Sequence, residues 1–386
     1  MWPFSRRRKG RRVKTDESPT PSPDEADSAP EHIQEVGVAV PDPAMDTAVT
    51  SLNTVVFADY IRLDKRAGQG EDANPIVSLR QDQVVLGVFD GLGGAGAEAY
   101  ETREGKKTGA AIGAAIAAHV SRRVLESPDG PADVGILKAA LADGLQRNLQ
   151  SLGGESSALK GRLIRKLPTT VAIARVSLSS AQSASSGHVC TTFWAGDSRV
   201  YVLDCHGLRQ LTRDHLAIHN DAMQNLLQDS ELSNCARADG EFYLESADIE
   251  VGPSAFLVIA ASDGVFGYLP TPMHFENLLL QTIAGSHSFT AWKTLLEQRI
   301  ASYTQDDATL AYSAIGWNDF ASMKESLERR RHEIASETER IDRAAEKVQT
   351  ATAAATVANA ELDTLRQSIW DAYRPAYELT GSTEQS

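Results

Sequence analysis

Cysteine is scarce: Cys190, Cys205 and Cys235 are the only three in 386 residues, and no two stand in a CxxC spacing. That argues against a disulfide framework and against a thiolate zinc site, and it fits a reducing compartment. No run reaches the roughly 18 apolar residues that a membrane span needs. The nearest, Thr108 to Val120, is short, rich in Ala and Gly and preceded by Lys106-Lys107, so it reads as a helix packed closely on a sheet. Met1-Trp2-Pro3-Phe4-Ser5, followed by Arg6-Arg7-Arg8-Lys9, lacks the apolar core and cleavage site of a secretory signal. Residues 51–386 also lack a cationic excess, with 31 basic against 43 acidic side chains. A body of that sign is a poor general nucleic-acid binder, because neutralising phosphates takes a basic face. A cytoplasmic location is expected.

What is present is unevenly spread. Residues 1–14 carry seven Lys/Arg and no acid, and residues 15–50 carry nine Asp/Glu and no Lys/Arg. Seven of the fifteen prolines fall before position 49. Such a stretch cannot bury enough apolar surface to offset chain entropy, so a disordered basic then acidic Pro-rich tail is expected over 1–48. Trp2 and Phe4 among the cations of 1–14 could touch an anionic membrane surface, which would make the protein peripheral to the inner membrane; the alternative is a solvated basic tail. Ser18, Thr20 and Ser22 offer hydroxyls for phosphorylation.

From about 49 to 316 the pattern mixes strands and helices. Apolar runs of strand length occur at Val55–Ile61, Val84–Phe89, Val171–Val176, Cys190–Ala195, Val200–Leu203, Phe256–Ala261 and Ala308–Ile315. Helical stretches are predicted at about 97–125, 133–151, 273–286 and 290–301. Early strands come in adjacent pairs with short connections, which indicates antiparallel hairpins more than βαβ crossovers. Beyond Trp317, Phe320, Leu327, Ile334, Ile341, Val348, Ala355, Leu362 and Ile369 recur every seven residues. The d-like positions between them are Met323, Arg330, Glu337, Ala344, Ala351, Ala358, Leu365 and Ala372, and no Gly or Pro interrupts 318–374. The repeat predicts a long helix over 318–374 that forms a coiled-coil homodimer, lies along a partner, stands alone or folds back, with a disordered tail over 375–386.

Chemistry concentrates at strand ends. Val84–Phe89 ends in Asp90, and Gly91-Leu92-Gly93-Gly94-Ala95-Gly96 formally fits GxGxxG. A dinucleotide fingerprint also needs an acid at the end of a second strand about 20 residues on. Residues 106–120 are predicted to continue as helix and offer no acid there. The other reading makes Asp90 a carboxylate beside glycines that let the backbone approach a hard cation. Four more acidic clusters share its setting: Glu71-Asp72, Asp197, Asp263 and Asp306-Asp307. Crowding five such clusters together is costly without cations between them. His215 and His219 sit four apart, but no third zinc ligand is evident nearby.

Taken in order, Asp90-Gly91-x-Gly93-Gly94, Thr169-Thr170, Gly196-Asp197-Ser198-Arg199, Leu211-Thr212-x-Asp214-His215, Ser262-Asp263-Gly264 and Asp306-Asp307-Ala308-Thr309 resemble the metal-dependent protein phosphatase family, type 2C, in its bacterial branch. The resemblance covers about residues 50–316. It implies an α+β fold, a four-layer α-β-β-α sandwich of two antiparallel sheets flanked by helices, with two Mn²⁺ or Mg²⁺ ions at one end. By position, Asp90 would bridge both ions and the Gly91 carbonyl would bind one of them. Asp263 and Asp306 would complete the first ion's ligands. Glu71 would serve the second, Asp72 would hold metal-bound waters, and Asp197 matches the acid of a weaker third ion. The implied activity is hydrolysis of phosphoserine and phosphothreonine in proteins by a metal-activated water, which needs no protein nucleophile. A phosphorylated protein substrate and a Ser/Thr kinase are the implied partners.

Three positions depart from the family's pattern. The arginine that grips the phosphate usually lies five residues before the second acid of the Glu-Asp pair; here Ala67 stands there and Arg66 lies six before. Leu92 replaces a histidine of animal members that can protonate the leaving alkoxide, as in bacterial members, which leaves that proton to a metal-bound water. Residues 216–252, the expected flap, resemble the family least. These departures keep open a catalytically weak phosphatase-like module that regulates or binds through its coiled coil, and a phosphatase of small phosphate esters.

Overall fold

The structure, a computed structural model, describes residues 48–51, 54–80, 82–103, 105–127, 133–152, 165–178, 187–218, 221–227, 230–252 and 254–378. The expected basic and acidic tail up to residue 47, with its membrane-contact segment 1–14 and its three hydroxyl residues, lies outside the described residues. So do 379–386 and His219.

In chain order the elements are β1 (Ala48–Ser51), β2 (Thr54–Leu63), β3 (Ile76–Leu79), β4 (Gln83–Val88), β5 (Ala99–Thr102), β6 (Gly105–Thr108), α1 (Gly109–Leu125), α2 (Val134–Ser151), β7 (Val171–Ser177), β8 (His188–Ala195), β9 (Arg199–Asp204), β10 (Gly207–Gln210), α3 (Ala222–Leu227), β11 (Glu245–Gly252), β12 (Phe256–Ala261), α4 (Asp263–Phe266), α5 (Pro272–Ala284), α6 (Phe289–Ala301), β13 (Ala308–Ile315) and α7 (Phe320–Tyr377). Two sheets carry the fold, in the orders β1-β2-β13-β12-β9-β10 and β11-β8-β7-β4-β3, and β5-β6 is a separate hairpin. All the paired strands are antiparallel.

The alternation of side chains along a strand builds two cores at once. On β4, Val84, Leu86 and Val88 join Ala172, Ala174, Val202, Val258 and Ala311 between the sheets. Their neighbours Val85 and Phe89 face the other way, onto Ala114 and Ala117 of α1 and Leu137, Leu141 and Leu145 of α2. On the outer side of the six-stranded sheet, α6 sets Phe289 against Phe57 and Trp292 against Tyr312, while α5 sets Phe275 against Tyr201. The architecture is therefore α+β, helix–sheet–sheet–helix.

One predicted element is corrected. The segment 97–125 is not helical throughout, because β5 and β6 occupy Ala99–Thr108 before α1 starts at Gly109. Gly105, at φ 100°, supplies the left-handed turn residue, and Thr108 caps the helix that follows by accepting from Ala111 N.

The chain divides into Met1–Glu328 and Arg329–Ser386. In the first unit, Phe320, Met323 and Leu327 at the start of α7 are buried. In the second, α7 continues past Pro375 to Tyr377, beyond the predicted limit at 374. The ring of Pro375 removes one helical donor near the end of the helix, where Arg374 and Glu378 still pair.

Candidate active site

Asp90 follows β4, and its backbone is clamped rather than loose. Its N–H donates to Thr170 Oγ1 at 3.1 Å, and its carbonyl accepts from Thr170 N at 2.8 Å and Thr169 Oγ1 at 3.0 Å. Leu92 N donates to Pro168 O at 3.2 Å, so the bonds of the Gly91–Thr169 bridge come from the residues on either side of Gly91. Gly91's own carbonyl faces away from Thr169, as the antiparallel pattern requires. A Cβ at Gly91 would meet Glu71 O at 2.6 Å and Ala110 O at 2.7 Å, and one at Gly93 would collide with the Glu71 carboxylate. The glycines here make room for an acid. The strands beside β4 are antiparallel and a hairpin follows the glycines, so among the described residues β4 is not part of a βαβ unit that could hold a dinucleotide.

The remaining acids arrive from distant segments. Glu71, in the β2–β3 loop, accepts from Thr108 Oγ1 at 2.7 Å, and its N–H donates to Asp307 Oδ2 at 2.7 Å. Asp307 Oδ1 also takes Lys65 N at 2.7 Å, which ties that loop to the start of β13. Asp72 is buried and accepts from Ser262 Oγ at 3.0 Å. Its Oδ1 is buried without a well-formed hydrogen bond, although the nearby Thr309 hydroxyl eases its charge. Asp263 opens α4 just after β12, and a Cβ on Gly264 would collide with the Asp307 carbonyl. Asp306 precedes β13, with Tyr268 Oη 3.5 Å from its Oδ2 and Lys65 Nζ 3.9 Å from its Oδ1.

Asp197 sits in the β8–β9 turn after Gly196, whose φ is 108°. Two residues on, Arg199 is committed to Asp214 by bonds of 2.9 and 2.6 Å and stacks on Phe266 at 4.3 Å. His215 Nδ1 accepts from Gly196 N at 3.1 Å, so this histidine buttresses the Asp197 turn from within the protein. In the flap, Asn225 Nδ2 donates to Asp214 at 3.0 Å, and Arg165 reaches Leu232 O and Cys235 Sγ.

Glu71, Asp72, Asp90, Gly91, Asp197, Asp263, Asp306 and Arg66 all line one open cleft of about 1920 Å³. Burial, reinforced by the charges of Asp72, Asp263, Asp197 and Asp306, holds the Asp90 carboxyl well above the usual range. Burial pushes Asp72 up to about 7, with Asp307 adding to it. It pushes Asp197 up to about 8, with Asp263 and Asp214 adding and Arg199 opposing. Glu71 is raised by burial against the easing bond from Thr108. Mutual repulsion of this kind is what a divalent cation relieves. With the glycine clearances and the all-oxygen donor set, the residues suit hard cations. As they stand, however, no group of three His, Cys, Asp or Glu side chains among the described residues is arranged to hold an ion.

Two contributors had no role assigned from the sequence. Thr108 orients Glu71, and Asp307 holds the backbone of the Glu71 loop. Only Asp307 left a trace, as the second member of an Asp-Asp pair. Arg66 is exposed on the cleft wall in the β2–β3 loop.

No family model matches the chain, and no curated protein matches it. Solved structures do. PppA, a regulatory component of the type VI secretion system in Pseudomonas aeruginosa, is 16% identical with a TM-score of 0.45, over 68% of this chain and 100% of its own. The catalytic domain of the serine/threonine protein phosphatase PstP, in complex with two manganese ions, is 13% identical with a TM-score of 0.44, over 68% and 99%. The serine/threonine phosphatase Stp1 from Staphylococcus aureus is 15% identical with a TM-score of 0.47, over 70% and 99%. Identities this low leave the identity of the acting residues to the cleft itself.

Proposed function

We propose that this chain is a metal-dependent protein phosphatase that hydrolyses phosphoserine and phosphothreonine in proteins. The observation that carries it is the meeting of Glu71, Asp72, Asp90, Asp197, Asp263 and Asp306, from five chain segments, in one cleft. Asp90 would serve both of two Mn²⁺ or Mg²⁺ ions and the Gly91 carbonyl one of them. Asp263 and Asp306 would complete the first ion's ligands, Glu71 would serve the second beside Asp72, and Asp197 a weaker third. When bound, such ions lower the pKa of a water and offset the charge of the phosphoryl oxygens. Arg66 is the chain's own candidate to hold the phosphate, from the loop anchored by Asp307. A thiol nucleophile is not needed, and burial pushes Cys190 up to about 12, far from a thiolate.

The test is a phosphothreonine peptide assay with Mn²⁺ or Mg²⁺ on the wild type, Asp90→Ala and Asp263→Asn. Turnover is expected in the wild type alone. Equal rates in all three would sink the reading. A second reading, a catalytically weak regulatory module, draws on the exposure of Arg66 and on there being no ligand-ready trio among the described residues. It predicts ion binding by calorimetry without turnover. Free phosphate metabolites run beside the peptides separate small-ester hydrolysis from protein dephosphorylation.

The kinase that phosphorylates the substrate is a partner this chemistry requires. A second partner is another copy of the chain. Val348, Leu362, Leu365 and Ile369, at a and d positions of α7, are between 42% and 66% exposed, and a stripe of that spacing suits a two-stranded coiled coil. Sedimentation of a 318–386 fragment tests it, and a strictly monomeric fragment excludes the dimer. Among the described residues no helix is long and apolar enough to cross a membrane.

A further inference from the structure

Basic side chains gather on the rim of an acidic cleft in a chain of net charge −14. Lys65 and Arg66 stand on the β2–β3 loop, and Arg103, Lys106 and Lys107 on the β5–β6 hairpin, and all five are exposed and line the cleft. Both segments are fixed to the carboxylate set. The hairpin ends in Thr108, which donates to Glu71, and the loop's Lys65 N and Glu71 N share the Asp307 carboxylate. Lys106 lies two residues before Thr108 on β6, hence on the same face of the strand and about 7 Å along the strand from it. Lys106 is paired across the hairpin with Glu101, and Lys107 with Tyr100, so among the described residues of the hairpin Glu101 is the acid that works against its cations.

We infer that this rim selects phosphoprotein segments bearing a second anion two to four residues from the phosphorylated side chain. The inference rests on the phosphatase reading of the same cleft and adds a substrate class to it. An extended peptide advances about 3.3–3.6 Å per residue, so a group two to four positions from a phosphate held among the acids has the reach to meet the hairpin's cations. The second anion is a carboxylate or a further phosphate. A cationic post there steers and retains it by charge, which salt screens.

The experiment uses the full chain with Mn²⁺ and three labelled phosphothreonine peptides of equal length. One has Asp at the second and third flanking positions, one has phosphoserine there, and one has neutral residues. Binding by fluorescence anisotropy and kcat/KM are measured on all three. An anionic flank is expected to strengthen binding roughly fivefold to twentyfold, mainly through KM. That preference is expected to shrink toward unity in 0.5 M NaCl (a concentration of about that order suffices) and in the Lys106→Gln/Lys107→Gln variant. Preference for one anionic peptide alone supports the rim and identifies the source of the anion. Equal binding of anionic and neutral peptides overturns the inference, as does a preference that survives in the variant. Preferential binding without turnover supports the rim while sinking the catalytic reading, and turnover without preference does the reverse.

Discussion

Glu71 depends on three other residues for its position. Thr108 donates to its carboxylate, Asp307 holds its N–H, and Gly93 vacates the space it fills. Losing a residue that orients a metal ligand typically costs 10–100-fold in metal affinity or activity. Thr108→Val is therefore expected to raise the Mn²⁺ concentration for half-maximal activity by roughly 10–100-fold. Thr108→Ser, which keeps both the bond to Glu71 and the cap on α1, should stay near the wild type. Metal titrations of turnover check both, and an unchanged Thr108→Val would remove this threonine from the site. Gly93→Ala should show the same defect more strongly, because its Cβ has nowhere to go but into the carboxylate.

At the scale of elements, the strands easiest to read were those buried on both faces. Phe256–Ala261 and Ala308–Ile315 are continuous apolar runs, and they appear as β12 and β13 with unchanged limits. Edge strand β11, Glu245–Gly252, is acidic and mostly exposed on alternate residues, so hydrophobicity gave no signal for it. The β5–β6 hairpin misled in the opposite sense. Ala, Glu, Lys and Arg are good helix formers, and only Gly105 at its turn betrays the reversal. The aspartates were visible because each follows or precedes an apolar run. Thr108 and Asp307 act through hydrogen bonds spanning 37 and 236 positions, a separation that local pattern does not report. The close fit of α4 over β13 yields its own expectation. Gly264→Ala should lower stability by about 1–3 kcal/mol through overpacking against the Asp307 carbonyl, measured by urea denaturation. In α7, Leu362→Glu with Ile369→Glu should make a dimeric fragment monomeric while helicity by circular dichroism is retained.

For the molecule as a whole, the crowded acids are expected to make stability depend on pH and, with the proposed ions, on cations together. Asp72 and Asp197 are pushed to about 7 and about 8 in the folded protein, against roughly 3.9 for an unfolded aspartate. Folding in the absence of divalent cations therefore takes up protons between those values. The stability associated with those protons is fully present below about pH 4 and is lost as pH rises through 7 to 8. In chelator, the melting temperature is expected to fall from pH 5 to pH 8. Mn²⁺ should raise it more at pH 8 than at pH 5, because a cation replaces protons. Thermal scans across that range check it, and a chelated protein with a flat profile would show the acids to be uncoupled from folding.

The bond from Glu71 N to Asp307 also sets when the site can come into being. Residue 307 immediately precedes β13, which lies between β2 and β12 in the middle of its sheet. A nascent chain that ends between Asp197 and Asp263 carries Glu71, Asp72, Asp90 and Asp197, yet neither Asp263 nor the segment that anchors the Glu71-Asp72 loop. Because domains fold as units during synthesis, the nascent chain has no assembled acid cleft until the end of β13 emerges. Any hydrolysis at this cleft would thus wait until translation of the domain is nearly finished, and a chain truncated before Asp306 would lack the assembled cleft.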